Sequence, residues 1–540
     1  MLSASHMACS ALFRAAGVVI LVVLVASFSL SLHGYMSGAS DACRTRIDRS
    51  VLVCLGICSG LVLYGRWILT PSYNWLNLCG LLLAGTGLLR LSLHIRSAEK
   101  PSLLSVASSV VYVGVGSGLS LVSKPPSFVL LMLVVIPWMV SVSRAWGALG
   151  FFPAAVAFFS CALVVLANPL TLQVGLAGVV SHLLTGAQIY VQLRDQGIAD
   201  LVWQAGEDFQ SLAVNILLSP AVAIVAAPIA LRRLQRRWNL DDELVLRLSG
   251  LFSTACIVCF WAAFTARGHW LVLGSFGHWG LVFVVLYFLS WYVSNWTAGR
   301  RKRRDLGVVI LLLVFAAAFG FGSGSGLFIK MSEGFVFLAL AGFLLARNTD
   351  EVLDSRVCTL SAVLVFFVPA ILILVQSYQN PYRLPTDIGD QSTDVVFFGN
   401  HGGLQVDAAT HSYVAGLEKA AERSGWRVGN QLIDLTGATP GAAIILNARA
   451  VSTPWLLGGY QGSTRFAREM LSRARPDDLK SSWLLTAPDG KRRIHEKGLL
   501  EELGLRFPAD FEVAGEVRTG WRNESQVLWK PRVPTRPNGS

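Results

Sequence analysis

The sequence predicts a polytopic α-helical membrane bundle followed by a C-terminal soluble α/β domain. Three observations carry that reading. Hydrophobic residues make up 53% of the 540 residues and charged residues only 14%, whereas a water-soluble chain carries about 25% charged residues. The mean hydropathy is +0.55. Apolar runs close to the ~20 residues that cross a bilayer recur up to Ser377 and then stop. This composition excludes a secreted disulfide scaffold, a disordered chain and a coiled coil.

The apolar runs predict about twelve spans. Seven are clear: Ala15–Leu32, Trp146–Ala167, Leu212–Leu231, Leu246–Phe264, Gly280–Trp296, Leu306–Phe321 and Val357–Ser377. Val51–Leu69, Trp75–Leu89, Leu103–Val122, Ser127–Val142 and Met331–Ala346 are shorter or interrupted by polar residues. Residues 1–376 then form the membrane domain and 377–540 the soluble one. In the tail, Val395–Phe398, Leu432–Leu435, Trp483–Leu485, Phe511–Val517 and Val527–Trp529 read as strands. Thr410–Arg423 and Arg465–Ala474 read as helices, from apolar spacings of three and four.

Charge sets the orientation. The net charge is +12, but the chain from Ser377 onward holds 20 basic and 18 acidic residues. The basic excess therefore belongs to the membrane part, where it meets anionic lipid and not nucleic acid. Arg232, Arg233, Arg236 and Arg237 follow the seventh predicted span, and Arg300, Arg301, Lys302, Arg303 and Arg304 follow the ninth. Both clusters fall on one side, which positive-inside counting makes cytoplasmic. Loop Asn168–Ser211 and the tail are then external. Counting backward puts Met1 outside as well, which leaves two expectations: either the natural chain begins about one helix upstream, or the N-terminus is external and the active site altered.

None of the nine cysteines lies in the tail, and Cys256-x-x-Cys259 sits in an apolar run without a second pair at zinc spacing. No Walker loop, dinucleotide fingerprint, H-E-x-x-H or G-x-S-x-G is present. Neither a metal nor a cofactor is expected.

Four groups could carry chemistry on the external side. Lys124 precedes Pro125-Pro126, where the helix must stop; its ammonium either snorkels to the surface or holds a lipid phosphate. Gly322 and Gly324 lie in a glycine-rich turn followed by Lys330. That turn is either a flexible connection or a place where backbone N–H groups approach an anion. Arg267, His269 and His278 share a loop with two tryptophans, placing them at the interface or on a phosphate or sugar hydroxyl. Asp195, Asp200, Glu207 and Asp208 are the external acids, either a solvated loop or the source of a general base.

Two of these segments carry a resemblance. Gly114-Val-Gly-Ser-Gly118-Leu-Ser-Leu-Val-Ser-Lys124-Pro-Pro-Ser127 resembles the lysine-proline segment of bacterial C-type (polytopic, polyprenyl-phosphate-sugar-dependent) glycosyltransferases, and Phe315–Lys330 is similar to their A-F-G-[ST]-G-[SN] segment. The resemblance implies sugar transfer from a polyprenyl-phosphate donor to an envelope glycan or lipid acceptor, outside the cytoplasmic membrane. The family's acidic pair after the first helix has no counterpart here: the stretch after Leu32 holds Asp41 alone, followed by Arg44, Arg46 and Arg49. Two other classes stay open. One is a transporter or flippase of a lipid-linked glycan; the other is a non-enzymatic envelope-assembly protein.

Overall fold

The computed structural model describes residues 2–36, 42–65, 71–96, 102–145, 151–194, 280–289, 306–322, 327–353, 357–379, 384–397, 403–438, 441–520 and 522–532, with isolated positions between 206 and 292. The chain divides into two compact units. One comprises Phe13–Val179 and Val202–Ser377; the other comprises Met1–Leu12, Val180–Leu201 and Tyr378–Ser540.

The first unit is helical, built from α1 (Leu2–Met36) from Phe13 on, α2 (Ala42–Leu61), α3 (Tyr73–Arg96), α4 (Leu103–Ser123), α5 (Pro125–Ala145), α6 (Phe151–Ala167), α7 (Pro169–Arg194) as far as Val179, α8 (Gly280–Leu289), α9 (Leu306–Gly320), α10 (Phe335–Leu353) and α11 (Val357–Gln379) as far as Ser377. Among the described residues, five helices are long and apolar enough to cross a membrane: Leu12–Met36, Asp48–Gly65, Tyr73–Ile95, Leu103–Ser123 and Thr359–Gln379. A sixth is reached if the bent pair Phe152–Ala167 and Thr171–Gly186 counts as one span. The expected twelve spans are therefore not supported. Hydropathy windows count apolar residues and do not see where a helix breaks. Pro125–Ser141, Gly280–Leu289, Leu306–Gly320 and Phe335–Arg347 are all shorter apolar helices, and Leu212–Leu231 and Leu246–Phe264 lie almost wholly outside the described residues. The expected loop 168–211 is also corrected, since α7 occupies it as far as Arg194.

Glycines let the helices of this unit approach closely. A Cβ on Gly116 of α4 would fall 2.4 Å from Ala84 N and Gly80 O of α3, and one on Gly114 would fall 2.4 Å from Ala157 O of α6. Without bilayer-driven hydrophobic association, such small-residue seams are what hold membrane helices together. An aromatic core completes the packing. Phe337 meets Phe28 and Phe315 edge-on, with ring centroids 5.8 and 5.4 Å apart.

The two ends of the bundle differ chemically. At one end, Asp48 pairs with Arg347 at 3.2 Å, Arg90 donates to Ser27 and Ser31, and His94 bonds Ser105. At the other end, Trp75 donates to Gly17 O and Ser377 donates to Gly65 O. Lys124 also lies at this second end.

In the second unit, the sheet order is β4-β3-β5-β7-β6, with β3 (Gln431–Asp434) parallel to β4 (Arg449–Ala450) and β5 (Trp483–Thr486). The strands β6 (Phe511–Arg518) and β7 (Ser525–Pro531) close it in antiparallel fashion. A separate hairpin pairs β1 (Thr393–Val396) with β2 (Gly403–Val406). The two faces of the sheet carry two apolar clusters. One packs beneath α12 (Ala408–Arg423) through Val414, Leu417 and Ala421; the other gathers Phe466, Met470 and Leu484. Asp407 caps α12 by accepting from Ala409 N and Thr410 N, each at 2.9 Å. A bulge between Val513 and Gly515 brings glycine against Ala420, where a Cβ would fall 2.5 Å from the alanine methyl.

Asp434 ends β3 beside Tyr413, whose hydroxyl donates to Gln526 at 2.8 Å. Desolvation lifts its carboxyl to about 6, and the two bonds from Thr436 oppose the shift. The folded chain thus holds this proton more tightly than the unfolded chain. The favourable contribution is full below the unfolded value of 3.8 and is lost as pH rises through about 6. In tryptophan-fluorescence melts of the full chain, Asp434→Asn is expected to gain on the wild type between about pH 4 and about pH 8. A difference constant across that range would contradict this assignment.

Candidate functional site

Lys124 is the single non-helical residue between α4 and α5, at φ −153° and ψ 83°. Its N–H still reaches back to Ser120 O, and its carbonyl accepts from Ser127 N and Phe128 N. Pro125 and Pro126 open α5, where the first N–H groups have no helical partner and proline costs nothing. The break is written into the sequence, and it turns the lysine side chain inward. Lys124 is buried; it does not snorkel.

The ammonium finds the end of another helix. Lys124 Nζ donates to Phe319 O at 2.6 Å and lies 5.6 Å from the centroid of the Phe319 ring. Phe319 is in the last turn of α9, where carbonyls lack an in-helix donor and the helix dipole is negative. Beyond Gly320 the chain turns left-handed at Gly322, φ +72°. A Cβ at Gly322 would fall 2.5 Å from Pro126 Cβ. The lysine-proline segment and the glycine-rich segment, 195 residues apart at Lys124 and Phe319, therefore meet in one place.

The chain then forms a short helix, Leu327–Met331, and a 3-10 turn, Ser332–Gly334. These present a buried ion pair, Lys330 Nζ to Glu333 Oε1 at 2.7 Å. Lys124 is within electrostatic reach of both partners, attracted by Glu333 and repelled by Lys330. Two ammonium groups and one carboxylate are thus clustered at this end of the bundle.

Neutral polar groups lie close by on α3 and α4. Asn77 Nδ2 donates to Ser127 Oγ at 3.2 Å. Asn74 Nδ2, Asn77 Oδ1, Ser117 Oγ and Ser120 Oγ are buried with no hydrogen-bond partner among the described residues. Buried polar atoms in that condition are normally satisfied by water or by a bound molecule.

An apolar cleft of about 550 Å³ opens between α4, α5 and α6. Leu121, Phe128, Met132, Ile136, Phe158 and Leu166 are among its walls, and Ser117 contributes its one hydroxyl. Leu121 and Phe128 stand three residues before and four after Lys124, so one end of the cleft lies within a helical turn of the lysine.

Of the residues singled out from sequence, Lys124, Gly322 and Lys330 come together. Asp195, Asp200, Asp208, Gly324, Arg267, His269 and His278 lie outside the described residues. Glu207 is exposed on a helical segment. Glu333 was missed, although the sequence carries a signal for it: it is the one acid between Asp305 and Asp350, and ionisable groups within apolar stretches mark functional positions. Asn74, Asn77 and Ser120 had no signal, because nothing local says that α3 lies against Lys124. Among the described residues, no group of three or more His, Cys, Asp or Glu side chains could hold a metal ion.

No family model, curated protein or solved structure matches the chain; the family resemblance rests on its two short segments.

Removing the Glu333 charge is expected to destabilise the bundle. Glu333→Gln leaves Lys330 buried without its nearest counter-charge, at a cost of about 3–5 kcal/mol. Joint replacement of Lys330 and Glu333 by Met recovers most of that loss. Detergent melts of the wild type and the two variants check this, and a Glu333→Gln protein that melts with the wild type would contradict it.

Proposed function

We propose that this chain is a membrane glycosyltransferase that takes a sugar from a polyprenyl-phosphate donor and passes it to an envelope glycan or lipid on the outer face of the cytoplasmic membrane. The observation that carries this reading is the meeting of Lys124 and Lys330 at the end of an apolar cleft. A lipid phosphate joins a long apolar chain to an anionic head. The cleft suits the first and the two ammonium groups suit the second. The side assignment draws on the basic residues of the opposite end, among them Arg90 and Arg347, which positive-inside counting makes cytoplasmic.

The reaction follows from that placement. An acceptor hydroxyl attacks the anomeric carbon of the sugar. The bond from that carbon to the phosphate oxygen breaks, and the lipid phosphate departs with its added negative charge facing Lys124 and Lys330. Fixed cations in a site of low dielectric stabilise charge as it develops and need no metal. The hydroxyl proton passes to a carboxylate, for which Asp195, Asp200, Glu207 and Asp208 remain the candidates. Glu333 is already paired with Lys330 and serves to place it.

A flippase would use the same lysines and release no lipid phosphate. The test incubates the purified full chain in nanodiscs with a panel of polyprenyl-phosphate sugars and envelope acceptors, and measures free polyprenyl phosphate. Release is expected with at least one donor, falling about 100-fold in Lys124→Ala and Lys330→Ala. Donor movement between leaflets without release would favour the flippase, and neither result would favour an assembly role.

A further inference from the structure

The sheet of the second unit contains a point at which the chain changes sides. From β3 the chain passes to β4 over the face that α12 covers, through the short helix Gly441–Ile445, whose Ala442 and Ile445 join the cluster beneath α12. From β4 it returns past β3 to β5 over the opposite face, through the helix Ser463–Ser472, whose Phe466 and Met470 join the other cluster. After β5 it stays on that opposite face, where Leu499 and Leu500 are buried. The exits from the adjacent parallel strands β3 and β5 therefore part to opposite faces. In an open α/β sheet such a parting leaves a crevice outside the carboxyl ends of the two strands, and ligands bind there. The two ends are Asp434 and Thr486.

The walls and floor of this crevice all belong to the second unit. The turn between β6 and β7 packs on the first turn of α12, where a Cβ at Gly520 would fall 3.0 Å from Thr410 N. The loop after β5 is tied to the same turn: Asp489 Oδ1 accepts from Ser525 N at 2.8 Å, and Glu524 Oε1 from Lys491 N at 3.4 Å. On the floor, strand alternation sends Asp434 and Gln526 to the α12 face, the face of Leu432 and Leu528. Tyr413 reaches both. Its hydroxyl donates to Gln526 Oε1 at 2.8 Å, and Asp434 is close enough to oppose its ionisation. Two atoms here have bonding capacity left. Asp434 Oδ1 takes both bonds from Thr436, at 2.9 and 2.6 Å, and Oδ2 takes none among the described residues. Gln526 Nε2 likewise donates to nothing among the described residues. Neither atom is sealed from solvent. Asp434 is hemmed in closely enough to be desolvated and is still part-exposed, as a group at the bottom of an open recess must be.

We propose that this recess is a second binding site, for a neutral saccharide, with Asp434 Oδ2 accepting from one sugar hydroxyl and Gln526 Nε2 donating to another. A hydroxyl both donates and accepts, so a ligand rich in hydroxyls satisfies the free acceptor and the free donor together. The carboxyl, amide and phenol of the floor offer a phosphate no counter-charge, which sets this site apart in chemistry from the lysines of the membrane unit. Tyr413 is a positioning residue: its bond to Gln526 Oε1 fixes the amide so that the N–H groups face the recess.

The test titrates the methyl glycosides of glucose, galactose, mannose and arabinose, and separately inorganic phosphate, against the purified full chain in nanodiscs, with binding read by saturation-transfer difference NMR. At least one glycoside is expected to bind. In Asp434→Asn the amide oxygen keeps the bonds from Thr436 and an N–H replaces the acceptor that faces the ligand, so affinity is expected to fall about tenfold, and Gln526→Leu is expected to cost a similar factor. Deoxy analogues of the bound glycoside test the same bonds on the unaltered chain, where the folding of a variant plays no part: removal of the hydroxyl at each of two positions is expected to weaken binding. Failure of all four glycosides to bind, equal binding by every deoxy analogue, undiminished affinity in both variants, or displacement of the glycoside by phosphate would each overturn the proposal.

Discussion

A lysine ammonium carried into a helical bundle must be met by acceptors, because leaving a charge uncompensated in low dielectric costs several kcal/mol. That constraint organises one end of this protein. Lys124 enters because prolines stop α4 and restart the chain as α5. It is met by a carbonyl of α9, which the geometry of a helix end leaves without a donor. Meeting it there requires α9 to finish against Pro126, and Gly322 provides the only surface that fits so close to the proline ring. The pair Lys330 and Glu333 then follows on the short helix and 3-10 turn spanning 327–334. One buried charge thus fixes the contact between segments far apart in sequence.

The same contact explains what sequence could and could not reveal. Lys124-Pro-Pro and the glycine-rich turn were legible separately, since proline and glycine act through their own backbones. Their meeting was not, because no local rule pairs residues almost two hundred positions apart. The glycines of the Gly114–Ser127 segment look from sequence like part of a ligand motif, yet Gly114, Gly116 and Gly118 are spent on helix contacts with α3 and α6. Span counting failed for a related reason: apolar composition continues through the Ser332–Gly334 turn, whereas helix geometry does not. In the sheet-containing tail the pattern of apolar residues was strong enough to find β3, β5, β6, β7 and α12. The two-residue β4 and the β2 hairpin strand, whose order depends on their partners, escaped notice.

The tail shows how little of its chemistry is local. Asp434 reads in sequence as an ordinary strand-end acid. Only its burial in the folded domain, which takes the carboxyl out of water, explains its reluctance to ionise. The reverse holds at Asp407, whose role as a helix cap is written in its place before an apolar-periodic run.

The central claim is that Lys124 and Lys330 form a phosphate-recognising head at the end of an apolar cleft, and it is tested most directly by comparing a polyprenyl phosphate with the corresponding polyprenol. Retention of each by the purified full chain is read by native mass spectrometry, alongside Lys124→Gln, Lys330→Gln and the double variant. The account requires that the wild type retain the phosphate in preference to the alcohol, and that the double variant lose this preference while still holding the alcohol. Equal retention of the two lipids by the wild type, or an undiminished preference in the double variant, would contradict it.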